Sequence, residues 1–80
     1  MNDNDILGLR PEWKMNTYSI YEHPADYPDD FVVRRWENTD PKELVGTAKT
    51  LEAARKYVPH GMVNVGRYAQ DDPCIVEVWI

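Results

Sequence analysis

One cysteine, Cys74, stands in the 80 residues, so no internal disulfide can brace the chain. A lone thiol in so small a protein fits a reducing compartment. The acidic opening Met1-Asn2-Asp3-Asn4-Asp5 lacks the basic-then-apolar order of a secretory signal, so the expected location is the cytoplasm. No apolar run approaches the ~18 residues that cross a bilayer. Cations are also scarce: 9 Lys and Arg stand against 14 Asp and Glu, a net charge of -5. Only Arg34-Arg35 and Arg55-Lys56 are adjacent. Neutralising phosphates takes clustered cations, so neither direct nucleic-acid binding nor an acidic membrane surface is expected. The 4 glycines are scattered, which leaves no phosphate-cradling loop.

What is present is a 42% apolar content with 11% aromatics, too rich for a disordered chain. A chain of this length forms one domain whose core leaves only a few kcal/mol of net stability. Residues 1–16, with Ile6, Leu7, Leu9 and Trp13 interrupted by Pro11, read as an N-terminal arm, partly disordered or docked. Residues 17–80 read as the compact domain, with Met15 as an alternative start.

Residues 17–23 alternate in β-forming side chains and stop at His23-Pro24, because proline cannot donate to a ladder. Residues 25–30 carry turn chemistry. A second strand follows at 31–36, and Asn38-Thr39-Asp40-Pro41 closes it. Residues 42–46 are too short and too glycine-limited for a helix. Thr50 is placed to cap a helix with Glu52 in its first turn and Leu51, Ala54 and Val58 on one stripe. Pro59 and Gly61 end it after two to three turns. Strands at 62–68 and 74–80 complete the order ββαββ, an α+β fold. An antiparallel sheet in the order 1-2-4-3 puts the two most apolar strands at its middle, with the helix on one face.

Strict alternation along the second and fourth strands turns Val76, Val78 and Ile80 towards the helix. It turns Val32, Arg34, Trp36, Ile75, Glu77 and Trp79 to the outer face, where Arg34 and Glu77 can pair across strands. Aromatics with an arginine resemble an interaction surface. Cover by residues 38–49 or the arm, self-association, and a different protein partner are the three readings of that face. A second candidate set is acidic: Asp26, Asp29 and Asp30 in one loop and Asp71 and Asp72 in another. The order 1-2-4-3 puts those loops at opposite ends, against a joint carboxylate site. His23 with Asp26 lacks further ligands at metal spacing, so no metal site is expected. Cys74 opens an apolar strand and reads as a packed thiol rather than a nucleophile for His23 or His60. No cofactor is implied.

The runs Tyr21-Glu22-His23-Pro24-Ala25-Asp26-Tyr27-Pro28, Phe31-Val32-Val33-Arg34-Arg35-Trp36, Asp71-Asp72-Pro73 and Ile75-Val76-Glu77-Val78-Trp79-Ile80 resemble small proteins of bacteria, phages and prophages. That group has no known activity, so the resemblance assigns no catalytic or binding residue. It implies a mobile-element product. The expected function is a small non-enzymatic interaction module that binds another protein, or a second copy, through the outer face. The alternative is an acidic inhibitor or nucleic-acid mimic acting on a host-defence or nucleic-acid-binding protein. A small enzyme is the least favoured reading.

Overall fold

The strand that the sheet is built around is β1 (Asn16–Glu22). The structure is a computed structural model that describes residues 15–67 and 72–80. β1 pairs antiparallel on one side with β2 (Phe31–Glu37) and on the other with β5 (Ile75–Trp79). β2 carries β3 (Asp40–Ala48) on its outer side, and β5 carries the short β4 (Asn64–Gly66). The sheet therefore has 5 strands in the order β3-β2-β1-β5-β4, rather than 4 in the order expected. Both apolar strands are interior, as anticipated, but β1 separates them.

The strand missed in the sequence is β3. Asn38-Thr39 is a two-residue turn, with Glu37 opposite Asp40 and Asn38 at φ 55°, a backbone region that asparagine tolerates better than most residues. Pro41 argues against a strand only where the missing amide would have to donate to a neighbouring strand. On the edge of a sheet it has no such duty. The N-terminal boundary also shifts: Asn16 is already paired with Glu37, the Asn38 amide donates to the Met15 carbonyl, and the Asn38 Oδ1 accepts from the Met15 amide. The rest of the expected arm, and Tyr68 and Asp71, lie outside the described residues.

The core lies between the sheet and the short helix α1 (Leu51–Arg55), the one helix among the described residues. Ile20 and Val33 face each other across β1 and β2, and both are 0% exposed, as is Ala54 of the helix. Each such aliphatic side chain contributes roughly 1.5–3 kcal/mol by leaving water. Tyr18, Phe31, Val45, Leu51, Val58 and Val76 pack around them. Thr50 caps the helix as its sequence position predicts, its Oγ1 accepting from the Ala53 amide at 3.1 Å. The regular helix is shorter than expected because the chain tightens: the amides of Lys56, Tyr57 and Val58 donate to carbonyls three residues back. Val58 still reaches the core.

β3 and β4 run in the same direction at opposite edges, so the link between them crosses one face of the sheet, and α1 is the part that packs there. The crossing brings Tyr57 over Gly46 of β3 so closely that a Cβ at position 46 would collide with the phenol ring. Gly46→Ala is accordingly expected to lower the unfolding free energy by about 1–2 kcal/mol. In a Tyr57→Ala background the same substitution should cost little, which a double-mutant cycle by denaturant unfolding would measure.

Candidate functional site

Two faces compete for functional meaning, and a bulge in β5 decides which residues belong to each. Glu77 lies opposite Ile20, whereas Ile75 lies opposite Tyr21, so Val76 is an extra residue in the ladder. Strict alternation fails there. Glu77 and Trp79 turn to the helix side with Ile20 and Tyr18, and Val78 turns outward with Ser19. The outer-face set read from the sequence thus divides. Val32, Arg34, Trp36 and Ile75 are outside, while Glu77 and Trp79 are inside. The expected Arg34–Glu77 pair does not form; Arg34 Nη1 donates instead to the Lys42 carbonyl at 2.7 Å.

Glu77 is 6% exposed, and its burial is tolerated because its oxygens are surrounded by donors. Arg55 Nε donates to Oε1 at 3.0 Å and Oε2 at 3.1 Å, Arg55 Nη2 donates to Oε2, and Trp79 Nε1 donates to Oε1 at 3.0 Å. The Arg55 guanidinium holds the carboxyl below the usual carboxylate range against the opposing effect of burial, and bonds from Trp79 and Asn64 add to the lowering. This cluster ties α1, β4 and β5 together and reads as an anchor, not as a reactive acid. A second, partly exposed pairing joins β2 to β3, where Arg35 meets both oxygens of Glu43 at 2.8 and 3.0 Å and Glu37 at 3.0 Å. The Arg35 hydrogen bonds bring the Glu43 carboxyl down to about 2.

On the outer face Val32 is 3% and Ile75 5% exposed, so part of the surface that sequence reasoning left open is buried. The other end differs. Trp36 lies opposite Thr17, and its Nε1 is buried without an acceptor. Met15, two residues before Thr17, is 63% exposed. Val63 and Ile80 exchange amide bonds of 2.8 and 2.9 Å and are 60% and 52% exposed. Following the inward Trp79, Ile80 points outward, and Val63 opposite it does the same.

The acidic loops are where the sequence reading fails most. β5 runs antiparallel beside β1, so the start of β5 meets the end of β1, and the Glu22 amide donates to the Cys74 carbonyl at 2.7 Å. Asp26, Asp29, Asp30 and Asp72 therefore lie at one end of the sheet, not at opposite ends. Asp30 is held by Lys49 at 2.6 Å, and Asp72 Oδ1 accepts from the Cys74 amide at 2.8 Å. Between the loops and the outer face is a hollow of about 340 Å³ lined by Tyr21, Pro24, Ala25, Asp26, Tyr27, Val32, Arg34, Asp72 and Cys74. The sequence signalled the loop through Pro24 and Pro28, but not that its tyrosine would turn towards β2.

No three His, Cys, Asp or Glu side chains converge on a metal position among the described residues. Cys74 is half-buried in this hollow, whereas His60 lines a separate one of about 440 Å³ beside Lys56 and Trp79, and the His23 ring is edge-on to Phe31 at 5.4 Å. No helix among the described residues is long and apolar enough to cross a membrane. Compared with protein-family models, curated proteins and solved structures, the chain matches none.

The Glu77 anchor has a measurable pH signature. Its folded pKa is depressed, so the stability it contributes is complete above the unfolded carboxyl value of about 4.3 and is lost as pH falls through the lower folded value. Glu77→Gln should flatten the acid limb of the stability curve below that pH. Arg55→Leu should cost more at neutral pH than Glu77→Gln, because it leaves the more buried partner charged and short of donors. Urea unfolding across the acid range would show both effects.

Proposed function

We propose that this protein is a small non-enzymatic interaction module that binds another protein through the outer sheet face, around Val32, Arg34 and Trp36. The observation that carries this reading is the Trp36 indole N–H, buried with no acceptor among the described residues on the face that α1 does not cover, at the end of the sheet where Met15, Val63 and Ile80 are exposed. An unmet donor costs about 1–3 kcal/mol in the free protein, and an acceptor on a partner would recover it. The net charge of -5 favours a basic partner over a second copy. A cytoplasmic setting and a mobile-element origin go with this reading.

A second reading is an acidic inhibitor that mimics nucleic acid. It is supported by the placement of Asp26, Asp29, Asp30 and Asp72 at one end of the sheet. Both readings have a protein as partner and differ in what holds it. Binding through Trp36 tolerates salt, whereas a carboxylate surface loses affinity steeply as salt rises.

Trp36→Phe tests the first reading. It keeps the aromatic bulk and removes the donor, so the thermal midpoint should stay level or rise, by up to about 1 kcal/mol in stability. Association, followed by pull-down and by solution mass, should weaken. A collapsed midpoint would assign Trp36 to the core, and unchanged association with strong salt sensitivity would transfer the function to the acidic loops. Concentration-dependent doubling of mass would make the partner a second copy.

A further inference from the structure

The hollow at the acidic end is continuous with the outer face, because Val32 and Arg34 belong to both and Trp36 follows them on the same side of β2. At about 340 Å³ it sits at the small end of the ~300–1,000 Å³ range of pockets that hold small ligands, a size suited to one long side chain. Its walls mix the rings of Tyr21 and Tyr27 with apolar Val32, a lining that suits the methylene stem of a long side chain. Its charge is unbalanced. Among the described residues that line it, Asp26 and Asp72 stand against one guanidinium, that of Arg34, which is drawn towards the Lys42 carbonyl at 2.7 Å. Asp26 takes part in no hydrogen bond or ion pair among the described residues. Tyrosine rings beside an unmatched carboxylate offer a cation both Coulombic and π attraction.

We propose that this hollow receives a lysine or arginine side chain of the protein that docks on the outer face. The inference rests on the outer-face reading for the source of that side chain. A metal ion is the wrong occupant, since no three ligating side chains converge there among the described residues. An anion meets two carboxylates. A partner strand or loop lying along β2 would set an apolar or acceptor group near Trp36 and its basic side chain between Tyr27 and Asp26.

The test uses the full chain labelled with ¹⁵N and titrated at low salt with Nα-acetyl-lysine methylamide. Its norleucine and glutamate counterparts serve as neutral and anionic probes. Saturable shifts are expected at the amides around Tyr27, Val32 and Cys74 with the lysine probe. Asp26→Asn, at an exposed loop position, should weaken that binding by about fivefold, the upper end for an exposed ion pair. Tyr27→Ala should weaken it too, while Trp36→Phe leaves it unchanged. Equal binding of the norleucine or glutamate probe, absence of saturable shifts, or indifference to Asp26→Asn would overturn the assignment. If the probe fails while Trp36→Phe still weakens partner association, the hollow is wrong and the outer-face reading survives. If the probe binds as expected while Trp36→Phe changes nothing, the outer-face reading fails and the hollow remains a cation site.

Discussion

A carboxylate in the interior of so small a protein constrains everything around it. Glu77 can be buried only where donors converge, and in this chain they come from three places: Arg55 at the end of α1, Trp79 two residues further along β5, and Asn64 on β4. The bulge at Val76 is what points Glu77 to that side of the sheet. With the carboxylate inward, α1 is tied to β5, β4 has a partner at its start, and the indole of Trp79 closes the core instead of facing outward. Desolvation alone would make this position unfavourable, so the pairing restores what burial removes and in doing so selects one placement of the helix.

The same bulge sets Trp36 and Trp79 on opposite faces. Trp79 has its N–H satisfied within the fold, whereas Trp36, on the opposite face, does not. The two look equivalent in sequence, each closing an apolar run. Their difference comes from a single extra residue in one ladder and from the side of the sheet on which α1 packs. The helix α1 packs on the Trp79 side of the sheet, and the proposed partner would supply the acceptor that Trp36 lacks among the described residues.

Charge distribution adds direction to that surface. The hairpin of β1 and β2 and the approach to β5 bring carboxylates together at one end, next to tyrosines and a concave stretch of the outer face. Lysine and arginine are spent elsewhere: Arg35 on Glu43 and Glu37, Lys49 on Asp30, Arg55 on Glu77. The surface pairs of Arg35 and Lys49 contribute little to stability, and Asp26 has no cation partner among the described residues.

Local chemistry alone determined the α+β class, the strands at β1, β2 and β5, the Thr50 cap with the Leu51, Ala54 and Val58 stripe, and the loop between His23 and Asp30. Each depends on periodicity, a proline stop or a cap within a few residues. Tertiary structure decided what those rules do not reach. β3 was hidden because Pro41 disfavours a strand everywhere except on an edge, and whether a segment lies on an edge is a property of the whole sheet. Strand order was misjudged because apolar content ranks strands as interior without saying which are neighbours; β1 came between the two richest. That choice brought the acidic loops together at one end. The faces of Glu77 and Trp79 were reversed because a bulge leaves no mark in the pattern of apolar and polar residues. It is visible only when β5 is laid against β1 and one residue has no partner.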